Sequence, residues 1–406
     1  MTNRDEQRGD NTMISMGKKL GWMSLLLMTS LAVHAQEFKL FDRTVYVHGF
    51  LSQGFAFSNH NNYLTMDTSD GDFHFTDAAL NLTSPITDKF RVGAQAYDRK
   101  IGKLGEGHLA LDWAYGDYRF KRWLGMRVGK IKTVSGLYND TQDDEFLQTW
   151  ALMPQSIYPL DLRSTLLAHT GADLYGDISL HRAGSLSYTG FWGRVPYDNT
   201  SGWVYANKDI QYPVVSIKET NFGGDLRWKT PVHGLTTGFS YLVDHEHWLG
   251  TETFNNGIPY IFITPKQRRR VGYVDYQVGK WHLTGEGMVN PNDAWLWDKV
   301  DKWFSYPYGY LGWYVSAAYR INKRFEVGSY NSQYEFTGIP APDHLFDRAA
   351  CLRVDFNNHW DLKVEGHYMS GDGGAADGAA HGFYLFNNNN LQHDTTVLVL
   401  RSTVYF

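Results

Sequence analysis

The chain has 406 residues, 43% apolar and 16% aromatic, with 40 glycines and only 12 prolines. That mixture favours β-structure broken by many turns. A formal net charge of −5 offers no basic face for nucleic acid. The single cysteine, Cys351, excludes an internal disulfide framework and a cysteine-based metal site.

At the N-terminus, Lys18 and Lys19 precede an apolar run from Leu20 to Val33. Val33-His34-Ala35 then places small residues where a signal peptidase reads. Residues 1–35 are expected to be an export signal, with Met13 or Met16 as alternative starts, and 36–406 a single domain. No later stretch reaches about 18 consecutive apolar residues, so no helix is expected to span a membrane. An exported chain of this kind is either soluble or a β-barrel in an outer membrane.

Downstream, period-two alternation recurs. FRVGAQAY sets Phe90, Val92 and Ala94 against Arg91 and Gln95, and GADLYGDISL sets Leu174 and Ile178 against Asp173 and Asp177. NFGGDLRWK sets Leu226 and Trp228 against Asp225 and Arg227, and WDLKVEGHY sets Leu362 and Val364 against Lys363 and Glu365. Successive side chains on a strand point to opposite faces, so each run has one apolar and one charged side. Many apolar sides begin or end in Trp, Tyr or Phe, as a girdle at a membrane interface does.

Connections alternate between short and long. The short ones include SPITDK, KRW, HRAG, TPVHG, GK, INKR and NNH. The long ones are read at 59–69, 133–170, 196–217, 245–266, 290–308, 338–346 and 371–393. The expected fold is all-β: a closed antiparallel up-and-down transmembrane barrel of about sixteen strands. The final strand, VLVLRSTVYF, places Phe406, Val404, Leu400 and Leu398 on its lipid side and Arg401 and Thr403 on the other. It resembles the terminal signal that the outer-membrane barrel assembly machinery reads.

The longest connection contains NDTQDDEFLQTWALMPQ. Its acids Asp140, Asp143, Asp144 and Glu145 open a short helical pattern that Pro154 ends. Together with LDWAYGDYRFKRWLGMRVGKIKTVSGLYND and MPQSIYP, this layout resembles the Gram-negative general porins. The resemblance implies a loop folded into the lumen after the fifth strand, a homotrimer in the cell outer membrane, and contacts with lipid and lipopolysaccharide. It also implies passive diffusion of small hydrophilic solutes and ions through a water-filled channel. The loop acids would then face a basic wall, for which the candidates are Arg91, Arg127, Lys130, Lys132 and Arg163. Lys130 and Lys132 share parity with lipid-facing Val128, so they need a bulge or a position beyond the membrane. Neutralising Asp143, Asp144 and Glu145 together should shift ion preference toward anions.

Other clusters carry less. Arg268-Arg269-Arg270 suits a strand end beside headgroups, and HEHW (His245–Trp248) lacks a third metal ligand. No cofactor, metal or catalytic motif is expected. Two alternatives remain: a substrate-selective channel, for example for phosphate-like anions, and a barrel enzyme such as a phospholipase. The mixed bore charges disfavour the first, and no short Ser/His motif supports the second.

Overall fold

The computed structural model describes residues 36–406 except 41–42, 106, 108, 210, 253–256, 300–301, 338–342, 372–381, 385–386 and 389. The expected export signal, 1–35, lies outside the described residues. Seventeen strands follow in order: β1 (Gln36–Leu40), β2 (Arg43–Ser58), β3 (Asp72–Pro85), β4 (Phe90–Ile101), β5 (Ala110–Lys121), β6 (Leu124–Lys132), β7 (Ala168–Ser179), β8 (Ser185–Val195) and β9 (Val214–Lys229). The rest are β10 (Leu235–Glu252), β11 (Ile258–Val278), β12 (Trp281–Asp298), β13 (Lys302–Arg320), β14 (Phe325–Thr337), β15 (Asp343–Asn357), β16 (Trp360–Gly371) and β17 (Asp394–Tyr405). Two short helices, α1 (Arg163–Leu166) and α2 (Gly202–Asp209), lie in connections.

From β2 onward each strand pairs antiparallel with the next, and β17 returns to β2 in the register Val397↔Ser58 to Tyr405↔Phe50. Sixteen strands therefore close a barrel, which removes the sheet edges. The short β1 pairs with the start of β2, from Gln36↔Val47 to Leu40↔Arg43, beyond the last β17 pair. Phe406 and Gly49 exchange backbone hydrogen bonds at 3.0 Å, so the ladder runs to the last residue.

The alternation fixes two faces. Leu51, Leu80, Val128, Leu174, Leu226 and Leu398 are exposed on the outside. Ser52, Asp77, Asp173, Asp225, Thr403 and Arg401 are buried on the inside. Near the short turns, the outer face carries Tyr118, Phe120, Trp123, Trp228, Trp281, Phe325 and Phe356. Trp281 sits 4.7 Å from Tyr319 and Phe356 4.2 Å from Trp360, centroid to centroid. The Trp228 indole donates to the Ala183 carbonyl at 2.8 Å. An apolar band edged by such rings is a surface built for lipid.

Two connections expected to be long loops are strand instead. The β12–β13 ladder continues to Asp298↔Lys302, and the β10–β11 ladder to Glu252↔Ile258. Pro291, Pro307 and Gly309 look like turn signals, but the ladder passes through all three. As a result β10–β13 run 18 to 21 residues, whereas β3–β8 run 9 to 14. One side of the barrel is taller.

The interior is also less polar than the alternation implies. Ala56, Phe75, Leu345, Met369, Val397 and Val399 face inward and form one buried cluster with Ala151 and Leu152 of the longest connection. Tyr63, Leu64, Met66 and Phe383 complete it from the outer loops. Those loops are tied together: the Leu64 amide donates to the Gly382 carbonyl at 3.1 Å, and the Asn61 side chain to the Gln392 carbonyl at 2.7 Å.

Candidate functional site

The connection from β6 to β7, residues 133–167, touches inward-facing side chains on most of the wall. Near its start, the amides of Gly136 and Leu137 donate to Ser240 (2.9 Å) and to the Glu286 carboxylate (3.0 Å). The hydroxyls of Tyr158 and Tyr314 both donate to the other Glu286 oxygen at 2.6 Å. Gly136 has φ +67, and a Cβ there would lie 2.5 Å from Glu286; only glycine tolerates both demands. Further on, the amides of Ala151 and Leu152 each donate to one oxygen of Glu365 at 3.0 Å. Arg401 donates to the Ala151 carbonyl at 3.0 Å, and Arg353 to those of Phe146 (2.6 Å) and Gln148 (2.9 Å). Cys351 Sγ lies 3.2 Å from the Thr149 carbonyl. The Ser156 carbonyl approaches Gly312 of β13, where a Cβ would sit 2.2 Å away. On the opposite wall Arg99 donates to the Leu160 carbonyl at 2.5 Å.

Fully buried charges such as Glu365 and Lys363 are costly unless hydrogen-bonded. Glu365 meets that demand with two segment amides and with His367 at 3.0 Å. A hydrogen bond to a charged group contributes about 1.5–3 kcal/mol, so wall and segment hold each other in place.

The predicted acids and bases meet only in part. Asp143 is buried and pairs with Lys132 at 2.5 Å and Arg163 at 3.5 Å, and it accepts from Gln95 at 2.6 Å. Arg163 also forks onto Asp112 at 2.8 and 2.9 Å and covers the Tyr97 ring at 3.9 Å. Asp112 is available because it is an extra residue between the pairs Gln95↔Trp113 and Ala96↔Leu111. Such a bulge re-aims side chains. Asp143 therefore anchors the segment and does not face the opening, as a bore-lining acid would. Asp140 and Asp144 are half-buried. Asp140 lies within electrostatic reach of Arg227 on β9. The side chain of Glu145 lies outside the described residues.

Arg91 and Arg127 do not oppose the segment acids. Each pairs with the carboxylate directly across the ladder, Asp117 at 2.7 Å and Asp173 at 3.0 Å. A neighbour on the next strand satisfies them before any residue across the bore can. Lys130 keeps the lipid-side parity and donates to the Leu111 carbonyl at 2.6 Å. Lys132, at the end of β6, does reach inward.

Burial alone would raise the Asp143 carboxyl, but Lys132 and Arg163 outweigh it and bring it to about 2. Asp144 is pushed up to about 6 by burial and by the Asp143 charge, against the pull of Lys132. Burial disfavours the Arg163 charge, but Asp112, Tyr97 and Asp143 hold the guanidinium above its ordinary range.

Toward the short turns, the inner wall is a belt of mixed pairs: Arg119–Asp177 at 2.8 Å, Arg320–Asp355 at 2.5 Å and Arg353–Asp361 at 3.3 Å. Toward the long loops, on the tall side, a cavity of about 440 Å³ opens. Its walls include Trp203, Trp248, Tyr260, Phe262, Tyr310 and Phe336, with Glu219, Glu246, Arg269 and Asn290. This cavity was not anticipated from the sequence. The available signal was the inward parity of Trp248, Tyr260, Phe262, Tyr310, Tyr334 and Phe336.

No protein-family model and no curated protein matches the sequence. Solved structures do. Outer-membrane expressed OmpT of Vibrio cholerae aligns at TM-score 0.58 and 10% identity, over 91% of this chain and 100% of that one. A further OmpT structure is of a trimer form, with TM-score 0.55, 10% identity and coverage of 90% and 99%. The outer-membrane channel DcaP of Acinetobacter baumannii aligns at 0.54 and 10% identity, over 91% and 99%. The anion-selective porin of Comamonas acidovorans aligns at 0.53 and 9% identity, over 90% and 100%. Identities this low speak for the fold alone: the chain has the sixteen-stranded, porin-like outer-membrane barrel fold.

Proposed function

We propose that this protein is an outer-membrane channel for passive diffusion of small hydrophilic solutes and ions, working without cofactor or catalysis. The observation that carries this reading is the closed sixteen-stranded cylinder with an apolar, aromatic-edged exterior and a charged interior. Barrels of this size enclose more space than wall side chains can fill. Residues 133–167 act as the constriction, held across the bore by Glu286, Glu365, Arg353 and Arg401. Asp140 and Asp144 are the segment acids left to act on passing ions. The chain works in the cell outer membrane as a homotrimer, a reading supported by the trimer form of the similarly folded OmpT.

A second reading, the substrate-selective channel, is favoured by one observation. The segment is bonded around most of the circumference and borders an aromatic cavity. The anion-selective neighbour is no guide here, because the cavity is rich in carboxylates. Planar-bilayer recording of the refolded protein tests both readings. Small, steady conductance with weak ion preference supports the diffusion channel, and saturable block by one solute class supports the selective one. Absence of conductance sinks both.

A further inference from the structure

The cavity on the tall side is walled by large rings, and its polar groups share one character. Glu219 of β9 and Glu246 of β10 face each other directly across the ladder and both line it. Directly opposed residues place their Cβ atoms about 4.5–5.5 Å apart, where like charges repel. Asp244 lies two residues from Glu246 on the same inner face. A single guanidinium, Arg269, interacts with all three carboxylates. Its neighbours Arg268 and Arg270 point to the exposed outer side. Asn290 adds an independent sign: it is 2% exposed, it lines the cavity, and its side-chain oxygen has no hydrogen-bond donor. The wall thus carries three carboxylates to one guanidinium, with an unmet acceptor at Asn290.

The rings fit the same ligand. Trp203 and Trp248 lie 6.3 Å apart and Trp248 and Phe262 5.0 Å apart, with Tyr310 5.9 Å from Trp203. Aromatic faces attract cations through the ring quadrupole. A volume of about 440 Å³ falls within the range of small-molecule sites. We propose that this cavity is a binding site for a small organic cation: an ammonium on an apolar or aromatic body. The ammonium sits between Glu219 and Glu246 and donates to Asn290, while the body stacks on Trp203, Trp248 and Phe262. The proposal deepens the selective-channel reading, which it needs for the site's role as a station on the permeation path. Binding itself needs only the cavity.

Calorimetry on the refolded full chain in detergent tests it, with phenethylammonium, neutral 2-phenylethanol and glucose as probes. The expected result is saturable binding of phenethylammonium, at least about tenfold tighter than 2-phenylethanol, and none of glucose. In Glu219→Gln/Glu246→Gln the ammonium should fall to the level of the alcohol while the alcohol is unchanged. The wild-type comparison of the two phenyl probes stands even if that variant does not fold. Equal binding of the two, a preference for glucose, or no saturable binding would overturn the proposal. Bilayer recording of the same preparation without probe separates the readings. Conductance without charge-selective binding removes the site and leaves the channel. Charge-selective binding without conductance keeps the site and removes the channel.

Discussion

Between β14 and β4 the inner face carries Phe75, Leu345, Met369, Val397 and Val399, and segment 133–167 packs onto them. Between β9 and β13 it carries Trp248, Tyr260, Phe262 and Tyr310, and a cavity remains. Both halves alternate with the same period and both bury carboxylates. They differ in what stands beside the carboxylates. Small and aliphatic side chains let the segment come close, with the Trp150 ring seated over Gly328, and Glu365 is satisfied by segment amides. On the taller strands the segment amides reach Ser240 and Glu286, whereas Glu219 and Glu246, set among rings, line the cavity. One pattern of alternation thus yields a sealed half and an open half.

The comparison breaks most visibly if the seal is released. Glu365→Ala takes a partner from His367 and from the two segment amides, and removing one partner from a buried charged network costs about 3–5 kcal/mol. Single-channel conductance should then rise severalfold with larger fluctuations; unchanged conductance would mean that the segment is held by other means. Leu152→Ala removes an aliphatic contact in the same half and should cost about 2–5 kcal/mol. It is read as a lower denaturant midpoint for protection of 133–167 from protease. On the open side, Glu286→Gln should cost about 1–3 kcal/mol by weakening the hold on Leu137 and Tyr158, seen as faster amide exchange at Gly136 and Leu137 with the Ala151 region unaffected.

The smallest effect is one of pH. Asp144, raised to about 6, is neutral below that value and charged above it. Cation preference should therefore strengthen between about pH 5 and pH 7, and Asp144→Asn should flatten the change in reversal potential. An equal pH response in the variant would assign it to another group. The Asp143 pairs respond at a different pH. Its carboxyl is held near 2, so their contribution is present above about pH 4 and is lost only as pH falls through 2.

The barrel was legible because period two repeats on strand after strand, and aromatic edges mark lipid. Closure of β17 onto β2 was legible from the apolar parity of Leu398, Leu400 and Val404. The meeting of Lys132, Arg163 and Asp143 was legible only through resemblance. The roles of Arg91 and Arg127 were misread because alternation reports which face a residue occupies, not which neighbour reaches it first. The tall strands were misread because Pro291 and Pro307 signal turns locally, whereas the ladder around them is set by partners on β11 to β14. The apolar inner positions at Val397 and Val399 sit beside outward Leu398 and Leu400, so that stretch reads as apolar on both faces and hides the sealed half.

One cross-link reaches the central claim most directly, because the lone cysteine already stands where the segment meets the wall. Cys351 lies on β15, with Sγ 3.2 Å from the Thr149 carbonyl. In Thr149→Cys, mild oxidation of the membrane-inserted protein should join residues 149 and 351 in one chain and leave conductance unchanged. If both thiols instead stay free and react with a membrane-impermeant reagent, the segment does not rest against the far wall, and the sealed half does not exist.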